Sequence, residues 1–350
     1  IDAVAAVMRS GWLGLGAVTE RFEKALAEYF GVQHVVCLNS GTAALHLALR
    51  LLDLQPDDEV IVPTISFVST AHAVEYCGAR PVFADVDEDT LCVSVDDVRR
   101  KITPRTRAII PVHYGGHPCG LDGLRDAIAG RNIALIEDAA HACGAVYHDR
   151  KIGGLSPLTC FSFHAVKNLT CGEGGAIITN EAAWDKKLRE LRWLGISKDT
   201  YTRSASERVY AWQYWVNELG YKYHMHDISA AIGLVQLQRL EENNRKRRAV
   251  VERYNAAFQP HAWIETPPEQ EGARSSWHIY HIKVPGRDRL IAHLKRRGIA
   301  PGVHYYPLHL HPYYAGPRAQ CPIAEEIWKR VLSLPLFPDL TGEEISRVIE

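Results

Sequence analysis

Between Val35 and Asp138, short apolar runs rich in Val and Ile alternate with longer amphipathic stretches: VVCLNS then GTAALHLALRLL, EVIVP then SFVSTAHAVEYCG, PVFADVD then VDDVRRKI, RAIIPVHY then LDGLRDAIAG, and finally IALIEDAA. No other feature narrows the fold as much. Continuously apolar strands are covered on both faces, and parallel neighbours need a crossover helix, so the alternation predicts an α/β chain with a mostly parallel sheet flanked by helices. Ligand sites in such sheets form where loops leave the carboxyl ends of the strands.

After two more strand-like runs, CFSFHA and GAIITN, the pattern turns helical in EAAWDKKLRELRWLG and in the long stretch DISAAIGLVQLQRLEENNRKRRAVVERYNAAF. Apolar residues recur there at three- and four-residue spacing before a basic run, Arg245 to Arg248, which reads as a solvated helix face. Farther on, HIYHIKV reads as a strand and RDRLIAHLKRRG as a helix, giving a smaller C-terminal α+β domain. The expected division is 1–245 for the large domain and 246–350 for the small one.

Lys and Arg together number 40 against 41 Asp and Glu, so no global field favours nucleic acid or an anionic membrane, and a small-molecule partner is expected. The eight cysteines form no CxxC pair and read as buried thiols of a reducing compartment. No apolar run approaches the roughly 20 residues of a membrane span, and the first residues lack the apolar block of a signal peptide. A cytoplasmic protein is the expectation.

Chemistry concentrates in a few places. Ser40, Gly41 and Thr42 stand where a strand gives way to a helix, and free N–H groups there suit a phosphate, although a plain N-cap explains the serine as well. Asp138 ends an apolar run, where a buried carboxylate needs a donor or a cation. Lys167 follows in SFHAVKNLTCGEGG, five residues after Ser162; an apolar neighbourhood lowers a lysine's pKa toward that of a nucleophile for carbonyls. An anchor for a phosphate, an acid partner for a ring nitrogen and an amine for an aldehyde are together what pyridoxal phosphate requires. His304, His309 and His311 raise a metal reading, with the 309 and 311 pair on one side of a strand, but no Cys or carboxylate lies close enough in sequence to complete a set, and no metal is expected.

At these residues the chain resembles the DegT/StrS-type sugar aminotransferases, fold type I pyridoxal-phosphate-dependent enzymes. The likeness runs in order through SGWLGLGAVTERFEKALAEYFGV, NSGTAALHLAL, PTISFVSTAHAV, IEDAAHACGA, SFHAVKNLTCGEGGAIIT, LGYKYHMHDISAAIGLVQL and GVHYYPLHLHPYY. The resemblance implies that Lys167 is the Schiff-base lysine and proton shuttle and that Asp138 holds the pyridine nitrogen protonated. It implies that Ser162 binds the cofactor phosphate, aided by Thr42 and Ala43, and that Phe67 stacks on the ring. It sets His141 beside the ring hydroxyl, and His304 and Tyr305 in a sugar pocket. Many relatives carry an Asn in GYNYRM that reaches the neighbouring subunit's phosphate; here that position is Lys222, whose ammonium can serve a phosphate too. Gly14 and Leu15 also replace two hydroxyl residues of the more usual opening loop.

What the resemblance implies is a homodimer that moves an amino group from L-glutamate to a keto carbon of a nucleotide-linked keto sugar, with C4 favoured over C3. SFHAVKN and YKYHMHDI look most like enzymes acting on C4 keto sugars. A pyridoxamine-dependent sugar dehydratase is the nearest alternative, but those relatives carry His in place of the lysine kept here as Lys167. A catalytically silent cofactor-binding regulator is the other, without a DNA-binding extension or basic tail to support it.

Overall fold

The computed structural model describes residues 1–198, 213–316 and 320–350. The alternating runs become strands β1 (His34–Leu38), β2 (Glu59–Pro63), β3 (Arg80–Ala84), β4 (Thr106–Ile109) and β5 (Ala134–Asp138). After a small three-stranded sheet that includes β6 (Val146–Tyr147) and β7 (Arg150–Lys151) come β8 (Leu158–Ser162) and β9 (Gly175–Thr179). Among the described residues the central sheet has seven strands, in the order β1-β9-β8-β5-β4-β2-β3.

Its five-strand block from β8 to β3 is parallel throughout. β9 runs antiparallel to both β8 and β1, so β1 shares the direction of the parallel block and β9 alone is reversed. The carboxyl ends of β1, β2, β5 and β8 therefore open on one edge of the sheet. Apolar periodicity carries this topology only in part, because a reversed interior strand has the same Val and Ile content as its neighbours.

Helices cover the sheet: α1 (Asp2–Ser10), α2 (Ala17–Phe30), α3 (Gly41–Arg50), α4 (Ser69–Tyr76), α5 (Val95–Lys101), α6 (Leu121–Ile128) and α7 (Ala182–Leu191). α3 is buried from Ala43 to Leu49 and packs on β8, β9 and α4. Its Ser40 cap accepts the N–H of Ala43 at 3.1 Å. The start of α2 has no capping side chain of its own; instead the Asp227 carboxylate, far along the chain, accepts the N–H groups of Gly16 (3.0 Å), Val18 (3.1 Å) and Thr19 (2.9 Å).

The long helical stretch is one helix, α8 (Asp227–Phe258), of 32 residues. Its first half packs into the core around the large sheet through Ala230 and Leu240. Its second half contributes Val250, Val251, Tyr254 and Phe258 to a separate core with Tyr280, Leu332 and Leu334. That second core covers a two-stranded antiparallel sheet, β11 (Tyr280–Lys283) with β12 (Val331–Leu334), the short strand β10 (Ala273–Arg274) having joined β6. It also takes in residues of α9 (Arg287–Arg296) and α11 (Gly342–Ile349), whereas α10 (Pro322–Ile327) returns to the first core through Ala324 and Ile327.

The strand expected at His309 and His311 is instead a 3₁₀ turn, Leu308–Leu310, entered from Pro307 and left just before Pro312. Two prolines without N–H groups cannot complete a ladder across so short a span. All eight cysteines are free, and seven are buried. Among the described residues no helix is long and apolar enough to cross a membrane.

Candidate active site

A cavity of about 390 Å³ opens at the shared carboxyl edge of β1, β2, β5 and β8. Ser40, Gly41 and Thr42 line it from the start of α3, Phe67 and Thr70 from the segment after β2, Asp138 and His141 from β5 and its loop, and Ser162 and Lys167 from β8 and its loop. His304 and Tyr305 close it from the C-terminal part of the chain. That last segment is tied down next to β2: Leu308 donates its N–H to the Thr64 carbonyl at 2.7 Å, and His309 Nδ1 meets the Thr64 hydroxyl at 2.5 Å. His309 Nε2 also reaches Glu325 at 3.2 Å, so the ring read as a metal candidate is a strut that sets its neighbours over the cavity. Among the described residues no group of three or more His, Cys, Asp or Glu is placed to hold a metal ion.

Asp138 is buried, its Oδ2 accepting from the Thr70 hydroxyl at 2.8 Å and its Oδ1 from the Ala140 N–H at 3.1 Å. Burial pushes the carboxyl above its ordinary range, against the pull of those two donors and of Lys167. The same burial brings the Lys167 ammonium down to about 8, with Asp138 opposing it. A carboxyl and an amine, each destabilised in its charged form by burial and each supported by the other, face one cavity.

His141 is buried; burial, and next the nearby Lys167, keep its ring well below the usual histidine range and hence neutral. Its Nε2 lies 3.3 Å from the Tyr305 hydroxyl, while Nδ1 is buried with no partner among the described residues. Phe67 is 59% exposed, so it faces the cavity as an open ring instead of joining the core, with its centroid 6.2 Å from that of Tyr305.

The small residues keep the floor of the site tight. A Cβ on Gly41 would lie 2.8 Å from Ser162 Cβ, and one on Gly175 would lie 2.4 Å from the Ser40 carbonyl oxygen. The start of α3 and the end of β8 thus meet at a distance only glycine permits. Ala43 is not among the residues that face the cavity; it is buried behind them with its N–H turned to Ser40. Lys222 lies outside this cavity too, exposed, with its ammonium 3.7 Å from the centre of the Trp193 ring.

Sequence reasoning passed over Thr70, the donor that holds Asp138, and Ser69, whose hydroxyl meets that of Thr42 at 2.7 Å. Both stand in PTISFVSTAHAV, where a cluster of hydroxyls just past a strand end was the available signal. His164 and Glu173, 3.5 Å apart at the cavity, were also missed.

The model of the DegT/DnrJ/EryC1/StrS aminotransferase family matches residues 1–350. The chain belongs to this family. Its mainly parallel sheet flanked by helices agrees with that membership. Spore coat polysaccharide biosynthesis protein SpsC of Bacillus subtilis is 39% identical over 361 residues, covering 100% of this chain and 92% of that protein. Among solved structures, the PMP form of the putative sugar aminotransferase Spr1654 of Streptococcus pneumoniae is 33% identical with a TM-score of 0.93, covering 99% of this chain and 94% of that one. DesV of S. venezuelae, in complex with a ketimine intermediate, is 37% identical with a TM-score of 0.92, covering 99% and 91%.

Proposed function

We propose that this family member is a pyridoxal-phosphate-dependent aminotransferase that takes its amino group from L-glutamate and delivers it to a keto carbon, C4 in preference to C3, of a nucleotide-linked keto sugar. The observation that carries the reading is Lys167 and Asp138 facing one cavity. The residues present fit the cofactor. Among the described residues Asp138 accepts only from neutral hydrogen-bond donors, leaving lone pairs for a cationic ring nitrogen. His141 has a buried ring nitrogen without a partner among the described residues, and the glycine-tight junction of α3 with β8 lets a phosphate approach the helix N-terminus.

When bound, pyridoxal phosphate supplies an aldehyde that carries nitrogen and a ring that accepts an electron pair. Lys167 would hold that aldehyde through Nζ, and the same Nζ, once freed, would take a proton from the donor's α-carbon and return one to the acceptor. Asp138 would hold the ring nitrogen in its protonated form. Ser162 and Thr42, with Ala43 completing the first turn of α3, would hold the phosphate, Phe67 would cover the ring face, and His141 would sit beside the ring hydroxyl. His304 and Tyr305, which line the cavity, would contact the sugar. Lys222, which does not line its own cavity, would serve the phosphate in the neighbouring subunit of a homodimer.

Visible absorbance of the protein with pyridoxal phosphate, before and after L-glutamate, is the test. A yellow band that glutamate bleaches, lost in Lys167→Ala together with turnover on nucleotide keto sugars, is the expected result. A Lys167→Ala protein that keeps wild-type turnover would sink the assignment.

A further inference from the structure

Next to Lys167 stands a side chain that the proposed chemistry does not use. Asn168 is buried, and its amide is fully engaged by three partners on two segments. Nδ2 donates to the Ser276 carbonyl at 2.7 Å and to Asn244 Oδ1 on α8 at 2.8 Å. Oδ1 faces His278 Nδ1 at 3.1 Å.

The orientation of this amide follows from its partners. A backbone carbonyl only accepts, so the group facing Ser276 is the NH₂. Asn244 is fixed independently, because its own Nδ2 donates to the Cys143 carbonyl at 3.0 Å and leaves Oδ1 to accept. Gly144, at φ +89°, makes room for that contact: a Cβ there would lie 2.3 Å from Asn244 Nδ2. Both amide hydrogens of Asn168 are thus used, and its oxygen is left to accept from His278.

We propose that Asn168 is a positioning residue for Lys167 and that it fixes His278 as the neutral tautomer carrying its proton on Nδ1. The acceptor oxygen requires a proton on Nδ1. Burial, and next the nearby Lys167, hold the ring well below the usual histidine range, so Nε2 stays bare. The His278 ring in turn packs against His141, their centroids 4.5 Å apart, and the Ser276 hydroxyl donates to the His141 carbonyl at 2.9 Å. One amide therefore joins the loop of Lys167, the loop after Asp138, α8 and the segment leading into β11.

The positioning role rests on the reading of Lys167 given above; the tautomer does not. Nitrogen-15 spectra of imidazole-labelled protein without added cofactor, with His278→Gln to assign the signal, read the tautomer directly. A protonated Nδ1 with a bare Nε2 is expected; a protonated Nε2 with a bare Nδ1 overturns the assignment, and no Asn168 variant is needed to see it. In the loaded enzyme, Asn168→Ala should lower kcat by roughly 10- to 100-fold while the KM for L-glutamate stays within about threefold, as loss of alignment at a reacting group predicts. Asn168→Asp should leave both His278 nitrogens protonated at neutral pH, because a carboxylate then faces the ring. Wild-type turnover in Asn168→Ala overturns the positioning role. A wild-type protein that forms no visible band with pyridoxal phosphate overturns the Lys167 reading and the positioning role with it, while the tautomer stands or falls by its own spectrum.

Discussion

At the scale of single residues, the site depends on two charged groups held where charge is costly. The Lys167 ammonium, brought down to about 8 by burial, gives up its proton well below the 10.5 of an ordinary lysine. Only the neutral amine attacks an aldehyde. The rate at which the visible band grows on adding pyridoxal phosphate should therefore climb with pH up to about 8 and then level off. A rate still climbing at pH 10 would mean an unperturbed lysine. Between those two pKa values the unfolded chain binds a proton that the folded one has released, so the protein without cofactor should also gain stability as pH rises through this window. Asp138 and Lys167 were legible in the sequence because each is a charge set against apolar runs. Their supports were not: Thr70 lies 68 residues from Asp138 in sequence, and Asn168 lies 108 from Ser276. A hydrogen bond between a strand end and a distant loop leaves no local pattern to read.

At the scale of elements, two junctions carry the geometry. Asp227 at the start of α8 caps α2 by accepting three backbone N–H groups and the Thr19 hydroxyl. Asp227→Ala should destabilise the fold by about 2–4 kcal/mol in urea titration, since buried donors lose a charged acceptor together. The second junction is Gly175, paired with Leu38 on one side and Ser162 on the other. A methyl group at this position would press on the Ser40 carbonyl and force the start of α3 away from β9. Gly175→Ala should cost about 1–3 kcal/mol of stability and weaken retention of pyridoxal phosphate measurably on dialysis; unchanged retention would remove the helix start from the proposed phosphate site. The strands and most helices could be read from periodicity alone, because burial on both faces writes itself into composition. The reversal of β9 could not, since direction is set by which neighbours a strand meets and not by what it is made of. The 3₁₀ turn at Leu308 was hidden for a related reason, as alternating His and Leu imitates a strand while the flanking prolines forbid one.

At the scale of the whole molecule, the proposed homodimer makes a prediction that neither subunit makes alone. If Lys222 serves the neighbouring site, Lys167→Ala and Lys222→Ala proteins are each impaired, but a mixed dimer rebuilds one complete site from the two. Random reassortment makes half of the dimers mixed, with half of their sites intact, so about a quarter of wild-type activity should return on mixing. No recovery, with mixed dimers verified by a tag, would place Lys222 outside the chemistry.

The expected division at residues 245 and 246 falls inside α8, between Leu240 in one core and Val250 in the other. The passage from one core to the next has no joint: a continuous rod about 48 Å long belongs to both. For anyone exchanging parts between relatives to change which sugar is accepted, the seam suggested by domain arithmetic is the worst place to cut. A crossover there would marry two half-helices whose buried stripes were never fitted to each other. Junctions before His226 or after Gln259 would carry the rod across whole, and chimeras built on them should fold where mid-helix ones do not.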